Sequence, residues 1–509
     1  MTRLRAEPRH LPLALAFLAM VAQAQQGEGT APSGGALQPR LAAMVTVTDN
    51  LRLNDREKDG AVIATLAPGV SYVRNTGSLR GSLDYSLNGI TYLKTSYGTR
   101  VQNALTAAGQ AEVVPGTLIV DLQASIGQQN QSAFGLQSTP TQDSALANAN
   151  QHETGNLMVS PLLHGQIGGL ASVDLRGNFS MTEVRESAIG DSHSTGGSLR
   201  LTQLNAGVLG WFVQASTQQF RPKVGQTNRN STATGGLNYR PNPDWITSVN
   251  VGKERNDYLS RAGSTEDGFT GGVSADWTPT PRTRVSGNWQ RHSYGNSHGL
   301  SFEHRMRNSV WRFSDSRNVT VGNTGASGGV RTNYELFNLL FASETDPVKR
   351  DAMVRAALAA LGLSPNAPSS QGFLSTGPSE LHNQMLSFML QGVRSNITAT
   401  VSRSVTTRLG SDLNQGGDLA SNALIDQRSF VLTGSYQLTP VSGLALTAMR
   451  QETRGDAGGQ RTNLNSLLAN WNSRLGARIS VQLGARHSRF EGVTSYSENA
   501  VYANLTQQF

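Results

Sequence analysis

The chain has 509 residues and a formal net charge of +8, and its apolar residues, 37% of the total, are spread thinly along the sequence. The 54 glycines and the abundant Ser, Thr, Asn and Gln suit strands and turns better than helices. The lack of cysteine excludes disulfide scaffolds, thiolate metal sites, thiol nucleophiles and a lipid-anchored N-terminal cysteine. Arginines are scattered singly rather than clustered with aromatics, so no nucleic-acid partner is predicted.

The N-terminus predicts a cleaved secretory signal peptide over residues 1–24. An arginine-rich start precedes the short apolar stretch 11–22, and Ala22 and Ala24 form a small-x-small cleavage site. The apolar stretch is too short to stay in a bilayer as a spanning helix. Residues 25–40, rich in Gly and Pro, are predicted to be a disordered periplasmic lead-in.

From residue 41 onward, apolar and polar residues alternate with a period of two. Residues 171–182 show this clearly, since Ala, Val, Leu, Gly, Phe and Met interleave with Ser, Asp, Arg, Asn, Ser and Thr. The alternating segments run about 10–15 residues, whereas a typical soluble strand has about five or six. A tilted strand needs about 9–11 residues to cross a bilayer, and only a closed barrel then pairs every backbone group.

Connections alternate between tight turns and longer polar loops, as in outer-membrane barrels. Pro115-Gly116 and Gly168-Gly169 are examples of the tight turns. Longer loops are predicted at 50–60, 131–154, 221–231, 257–267, 409–427 and 453–461. Pairing the two kinds predicts about 22 strands, with 18 to 24 acceptable, and an even number places both termini in the periplasm. The predicted fold class is therefore all-β: a large antiparallel transmembrane β-barrel over residues 41–509.

One segment, residues 321–380, breaks the alternation and is predicted to be a long extracellular loop with a helical insertion. Asp346 is placed to cap a helix that starts at Pro347, and apolar residues recur at helical spacing up to Gly362. The sequence predicts one amphipathic helix over 347–362. Two positions stay open: inside the lumen as a partial plug, or above the barrel as a cap. A disordered loop fits less well, because cap and stripe agree.

The last strand carries the most specific local signal. Val501, Ala503, Leu505 and Phe509 share one face, and the chain stops on the aromatic residue. This resembles the terminal-strand signature that the barrel-assembly machinery of bacteria reads. Gln507 departs from it, because an apolar residue is usual at that position.

Several short motifs also resemble those of a known family. They are VTVTDN at 45–50, LAPGV at 66–70, GSLDYSL at 81–87, SIGQQN at 125–130, and the helix from Asp346-Pro347 to LGLSP at 361–365. With them, nearly the whole mature chain resembles the PEP-CTERM system-associated outer-membrane proteins, found beside exosortase and exopolysaccharide gene clusters. The resemblance implies an outer-membrane barrel of a Gram-negative bacterium, tied to surface polysaccharide. It supplies no catalytic residues.

Residues 295–299 (GNSHG) match the G-x-S-x-G nucleophile pattern, which requires a strained strand-to-helix turn. Here the motif lies between two alternating strands with no helix after it, so a hairpin is the favoured interpretation. His292 is placed to face Ser297 across that hairpin, and His298 and His304 are further candidate partners. No carboxylate with an orienting role is evident nearby.

Metal and cofactor sites are not predicted either. His152 and Glu153 adjoin in a predicted loop, but neither H-E-x-x-H nor a comparable ligand spacing is present. No glycine-rich loop opens a helix after a strand, so a nucleotide has no predicted site. The sequence thus predicts no catalytic residue, no cofactor and no enzyme activity.

The polar strand faces hold the predicted functional residues, because rings of charged side chains set the solute preference of a pore. The lumen-facing candidates are Arg80, Asp84, Asp121, Asp174, Arg176, Arg284 and Arg486. A hydrogen-bonded structural network is the alternative interpretation. A slight cationic excess would favour anionic polymers.

Three functional hypotheses follow. The first is a porin-like channel or accessory pore linked to exopolysaccharide export, since about 22 strands leave room for a channel or a plugged pore. The second is a non-conducting structural or surface-interaction barrel that binds through loops 131–154 and 321–380. The third and weakest is an outer-membrane hydrolase. Predicted partners are outer-membrane lipid and lipopolysaccharide, the barrel-assembly machinery, and polysaccharide or export-complex proteins.

Overall fold

The computed structural model describes most of the chain after its first 36 residues. The described residues are 37–93, 95, 97–139, 145–187, 189–258, 266–321, 334, 337, 338, 341, 350, 351, 353–355, 357, 358, 372–410 and 416–509. The predicted signal peptide, most of the predicted lead-in, and Asp346 and Pro347 lie outside this set. Among the described residues, no helix combines the length and the apolar character needed to cross a membrane.

Twenty-two antiparallel strands form one closed sheet. They are β1 (Leu37–Thr48), β2 (Ala61–Thr76), β3 (Leu79–Leu93), β4 (Arg100–Val114), β5 (Leu118–Asn130), β6 (Gln151–Ile167), β7 (Ala171–Val184), β8 (Ser192–Gln203), β9 (Leu209–Pro222), β10 (Asn228–Asn242), β11 (Trp245–Asn256), β12 (Glu266–Thr280), β13 (Thr283–His292), β14 (Gly295–Arg305), β15 (Ser309–Val321), β16 (Pro378–Gln391), β17 (Ser395–Arg408), β18 (Leu424–Thr439), β19 (Ser442–Gly455), β20 (Arg461–Arg474), β21 (Ile479–Glu491) and β22 (Tyr496–Gln508). Each strand pairs with its sequence neighbours, and β1 closes the barrel on β22. The predicted fold class, a large antiparallel transmembrane barrel of about 22 strands, is confirmed.

Alternation along each strand separates an apolar outer face from a polar inner face. In β7, Leu175 and Phe179 are exposed on the outside, while Asp174 and Arg176 lie on the opposite face. The same holds in β21, where Leu483 is exposed on the outside. An apolar exterior suits hydrocarbon, and a polar interior suits a water-filled lumen.

The connections confirm the predicted alternation of lengths and define two ends of the barrel. The turn end has short connections such as 77–78, 243–244 and 440–441, and the long-loop end has connections such as 49–60 and 131–150. Because strands alternate in direction, every connection from an odd-numbered strand to the next strand lies at the long-loop end. A single helical turn, Asp418–Ser421, lies there between β17 and β18.

Several predicted boundaries are wrong by a few residues. β1 begins at Leu37, so residues 37–40 of the predicted disordered lead-in are strand, and Arg40 pairs with Gly69 and Gln508. β6 begins at Gln151, inside the loop predicted over 131–154. Other predicted loops shrink to 223–227, 257–265, 409–423 and 456–460. The strands continue past the hydrocarbon into water, where apolar alternation is no longer needed.

Loops from opposite sides of the wall pack together at the long-loop end. Leu51 of the first loop and Leu146 of the β5–β6 loop share a buried cluster with wall residues. Phe134 of the same β5–β6 loop and Leu419 of the β17–β18 loop pack with Phe373 of the β15–β16 connection in a second cluster. The wall residues of the first cluster include Ile63, Ile90, Leu464, Phe490 and Tyr496. These contacts cover part of the opening.

A buried carboxylate joins two of these loops. Asp418 accepts hydrogen bonds from the Ser132 hydroxyl at 2.8 Å and from the Ala133 backbone N–H at 2.5 Å. Burial raises the pKa of Asp418 above the ordinary range of an aspartate, against the lowering effect of these two donors. The loop contact is therefore a specific polar one as well as an apolar one.

Candidate functional site in the barrel lumen

The described residues of the insertion between β15 and β16 (322–377) enter the lumen. Those at 334, 337, 338, 350, 351, 353–355, 357 and 358 are helical. Phe337, Phe341, Val354 and Leu358 form a buried cluster with Ala445 of β19. Ala445 lies near the turn end, whereas the insertion leaves the wall at the long-loop end. The described residues of the insertion therefore lie inside the barrel and reach toward its turn end, which favours a plug over a cap.

A cluster of charged residues holds the insertion against the wall. Asp84 of β3 accepts hydrogen bonds from Arg40 Nη1 and Nη2 of β1 at 2.5 and 2.7 Å, and from Arg355 Nη1 at 2.8 Å. Arg355 Nε also donates to Asp351 at 2.9 Å, and the Tyr334 hydroxyl donates to Asp351 at 2.5 Å. The Asp84 side chain is only 4% exposed, so its charge is balanced by the two arginines rather than by water.

Electrostatics keep this cluster charged. Burial by itself would lower the pKa of the Arg355 guanidinium, but the Asp351 and Asp84 carboxylates raise it above its ordinary value. Burial and the Asp351 charge raise the pKa of the Tyr334 hydroxyl, so it stays a neutral donor. The ion pairs that join the insertion to the wall therefore stay charged at neutral pH.

Gly69 makes room for the wall side of the cluster. A Cβ built at Gly69 would lie 2.7 Å from the Tyr85 carbonyl oxygen and 3.1 Å from Arg40 Nε. Gly69 is the cross-strand partner of Arg40 in the β1–β2 register. The missing side chain therefore lets Arg40 lie over β2 and reach Asp84 on β3.

The predicted lumen-facing residues form separate pairs rather than a ring. Apart from Asp84, these are Arg176–Asp121 at 2.9 Å, His164–Asp174 at 2.7 Å, Arg486–Glu498 at 2.7 Å, and the more exposed Arg284–Asp276 at 3.8 Å. Arg80 faces Gln110 in the β3–β4 register. Arg486 and Glu498 are almost fully buried, which fits the structural-network interpretation of that pair. The pore-lining role of the set stays a prediction.

Three members of the cluster, Arg40, Asp351 and Arg355, were missed by sequence reasoning. Arg40 fell in the segment predicted to be disordered, although residues 37–41 already alternate apolar and polar residues. Asp351 and Arg355 stand at i and i+4 on the polar face of the predicted helix, a spacing that favours an ion pair. The sequence could therefore indicate the pair, but not its contact with Asp84.

The insertion does not fill the lumen. A cavity of about 1100 Å³ lies beside Phe341 and Arg355. It extends from the turn end, at 392–396 and 440–444, to Ser138 and Thr139 in the β5–β6 loop. Amides on the inner faces of the strands line much of its wall: Gln38, Asn88, Gln102, Gln129, Asn472, Gln482 and Asn504.

The G-x-S-x-G match lies in a hairpin, as predicted, because β14 starts at Gly295 and pairs with β13. His292 Nε2 lies 3.0 Å from Ser297 Oγ across that hairpin. The expectation that no orienting carboxylate lies nearby is wrong, since Glu254 Oε2 of β11 is 2.7 Å from His292 Nδ1. Sequence reasoning missed Glu254 because two strand crossings, rather than sequence spacing, bring it there.

Two further histidines contact a carboxylate other than Glu254. His298 and His382 both contact Asp315, with Nε2 atoms 3.3 and 2.7 Å from its carboxylate oxygens. These three residues, on β14, β15 and β16, form a group of the size and type that can hold a metal ion. Hydrogen bonds from two imidazoles to one carboxylate also account for the arrangement. They lie on the outer face, the face of the exposed Leu300.

The remaining candidates take structural contacts. His304 Nδ1 lies 2.9 Å from the Thr283 hydroxyl, and His152 Nδ1 lies 3.1 Å from the Arg185 carbonyl oxygen. Glu153 accepts a hydrogen bond from the Asn103 backbone at 2.8 Å. His152 and Glu153 lie on β6 rather than in the predicted loop.

Neither a family model nor a curated protein matches the chain. Similar solved structures include the FrpB iron transporter from Neisseria meningitidis (F5-1 variant), at 10% identity and a TM-score of 0.49, with 93% of this chain and 82% of that chain covered. The siderophore receptors PirA from Pseudomonas aeruginosa and from Acinetobacter baumannii match at 10% identity, with TM-scores of 0.44 and 0.46 and coverage of 93% and 80%. At such identities and scores, the ligands of those proteins do not transfer to this chain.

Proposed function

We propose that the protein is an outer-membrane passage barrel whose lumen is narrowed by its own insertion, and that it serves the export of surface polysaccharide. The observation that carries the proposal is the Arg40–Asp84–Arg355 cluster, which fixes the insertion inside the lumen. A cavity remains beside it, so solutes need only a local displacement to pass.

The lining of the cavity supports a hydroxyl-rich solute. Luminal amide side chains such as Asn88, Gln102 and Gln129 both donate and accept hydrogen bonds. Sugars present the same two kinds of group, and a polar wall of this type binds them weakly at many sites, as passage requires. The resemblance to exopolysaccharide-associated barrels points to the same class of solute.

The loop contacts at the long-loop end favour the second hypothesis, a non-conducting surface-interaction barrel. Loops 49–60, 131–150 and 409–423 pack together over part of the opening and would be the binding surface. In that case the insertion stabilises the loops, and its removal opens no path.

Conductance in planar bilayers separates the two. Val321 and Pro378 are cross-strand partners, so a short Gly-containing turn can replace residues 322–377 without straining the wall. We expect the wild-type barrel to conduct weakly and the shortened barrel to conduct several-fold more. Shortening loop 456–460 is the matched control and should change nothing. Unchanged conductance after removal of the insertion, in a barrel that still migrates as a folded species in unheated gels, would contradict the passage function.

The same bilayers test the predicted solute preference. The sequence predicts a slight cationic excess in the lumen, which would give a reversal potential that indicates anion selectivity; acidic oligosaccharides would then block the shortened barrel more strongly than neutral ones. Equal block by both would remove the charge argument and leave the passage function standing.

A further inference from the structure

Three side chains on the inner face of β11, β13 and β14 form a nucleophile, base and carboxylate in line. Ser297 Oγ lies 3.0 Å from His292 Nε2, and His292 Nδ1 lies 2.7 Å from Glu254 Oε2. With the imidazole proton on Nδ1, His292 donates to Glu254 and accepts the Ser297 hydroxyl proton. These are the relations by which a serine is activated and its base is held in the required tautomer.

The arrangement is fixed from several sides. The Ser293 backbone N–H donates to the second oxygen of Glu254. The Tyr294 ring stacks on the His292 ring, with centroids 4.7 Å apart and planes within 7°. Tyr258 in turn contacts Tyr294 edge to face at 5.4 Å. The imidazole therefore has one orientation, set by a carboxylate at one nitrogen and an aromatic face alongside.

The site also excludes most water. Glu254 is 3% exposed and Ser297 is 9% exposed. A largely desolvated carboxylate interacts more strongly with a developing imidazolium than an exposed one does.

We propose that Ser297, His292 and Glu254 form a catalytic triad that hydrolyses short acyl esters carried by hydrophilic solutes in the lumen. Ser297 Oγ attacks the ester carbonyl carbon while its proton passes to His292 Nε2. The ester C–O bond then breaks, and the leaving alcohol takes that proton. Water repeats the sequence on the acyl-serine and releases the carboxylic acid and free Ser297. The triad does not depend on the passage function, because it lies at the long-loop end of the wall and needs no path through the barrel.

Its position selects the substrate class. β11 and β13 end, and β14 begins, at the long-loop end, so the triad lies close to the opening. The neighbouring luminal side chains are amides and hydroxyls: Asn228, Asn230, Asn256, Thr270, Gln290 and Ser316. These residues solvate a polar alcohol, whereas a long acyl chain finds its apolar surroundings on the outer face. The expected substrate is an acetyl-type ester.

Labelling with a fluorophosphonate probe tests the nucleophile in the purified, folded barrel. We expect wild-type protein and Ser301→Ala to be labelled, because Ser301 is on the same strand and face but bonds Ser286. Ser297→Ala and His292→Ala should lose labelling, and hydrolysis of p-nitrophenyl acetate should fall about 100-fold or more. Absent labelling of the wild type, or labelling that persists in Ser297→Ala, would overturn the triad.

Glu254 positions the base and does not touch the substrate, so its variant is tested by a measurement that a loss of folding would not mimic. Glu254→Gln should lower kcat for p-nitrophenyl acetate and leave KM unchanged, because the substrate still binds while the base is no longer held by a carboxylate. An unchanged kcat would remove Glu254 from the mechanism. Faster cleavage of p-nitrophenyl palmitate than of the acetate would overturn the substrate class.

A second variant keeps the nucleophile in place if Ser297→Ala does not fold. The chain has no cysteine, so Ser297→Cys introduces a single thiol. His292 should activate it as a thiolate, so iodoacetamide should alkylate it faster than Ser301→Cys. The additional change His292→Ala should remove that advantage. Equal alkylation rates in all three proteins would contradict an activated position.

Discussion

The lack of a side chain at Gly268 leaves room for the contacts of Glu254. Gly268 is the cross-strand neighbour of Glu254 in the β11–β12 register, and a Cβ built there would lie 2.6 Å from the Ser293 Cβ. That distance is well inside van der Waals contact, so an added methyl group must displace the β13–β14 turn. The hydrogen bonds of Glu254 to His292 and Ser293 therefore depend on an absent side chain.

We predict that Gly268→Ala slows fluorophosphonate labelling of Ser297 by about 10- to 100-fold, because small displacements of a base are costly in rate. The barrel itself should still fold. Gly271→Ala is the control, since its Cβ would meet nothing closer than the Asn250 carbonyl oxygen at 3.5 Å. Labelling of Gly268→Ala at the wild-type rate would show that the carboxylate contact is dispensable.

Individual residues also show which contacts the sequence alone can predict and which it cannot. Alternation correctly places Ser297 and His292 on neighbouring strands of one hairpin, because that contact is local. Glu254 lies 38 positions before His292, and only the lateral order and register of β11, β12 and β13 bring them together. A period of two tells which face a residue occupies, but not its height relative to a strand farther along the wall.

Among the structural elements, the insertion shows which features a local sequence pattern can predict and which it cannot. The predicted range 321–380 agrees with the observed 322–377, because loss of alternation marks both ends. Of the apolar residues in the predicted helical stripe, Val354 and Leu358 are buried in a cluster with Ala445, whereas Met353 is exposed. The stripe does not say which wall it meets, so plug and cap could not be distinguished before the contacts were known.

The charged cluster predicts a specific way to loosen this element. Asp84→Asn would leave Arg40 and Arg355 facing each other without the carboxylate between them, at a cost of about 1–3 kcal/mol. We expect faster hydrogen exchange in the helix around residues 350–358 and a conductance between those of the wild type and the shortened barrel. Asp276→Asn is the control, since its contact with Arg284 is long and exposed. An unchanged rate of hydrogen exchange around residues 350–358 would mean that the apolar cluster of Phe337, Val354 and Leu358, and not Asp84, fixes the insertion.

For the whole molecule, closure matters more than any one contact. A sheet of this size in hydrocarbon has no tolerance for an open edge, so β1 and β22 must pair along their length, and they do, from Arg40 with Gln508 to Thr48 with Ala500. Alternation and turn spacing were enough to predict a barrel of about 22 strands. The start of β1 was missed although residues 37–41 alternate, because the alternation is short there and the glycine- and proline-rich residues before it predict disorder.

Phe509 adds one more contact to this closure. The Phe509 backbone N–H donates to the Pro39 carbonyl oxygen at 2.9 Å, and its ring is exposed on the outer face with Val501 and Leu505. Ala503 occupies the same face, and Gln507 is the polar exception at the position where the signature has an apolar residue. Phe509 therefore links a seam of the barrel to the membrane interface, where aromatic rings are favoured.

Deleting Phe509 should lower the fraction of chain that reaches the outer membrane as a folded, heat-modifiable barrel, because the last strand loses both its terminal hydrogen bond and its interfacial ring. Phe509→Tyr keeps both and should assemble normally. Gln507→Leu restores the apolar position and should raise the folded fraction or leave it unchanged. The measurement is the ratio of folded to unfolded species in unheated gels of outer-membrane fractions. If the chain that lacks Phe509 accumulates as a folded barrel to the same extent as the wild type, assembly depends on the β1–β22 register alone.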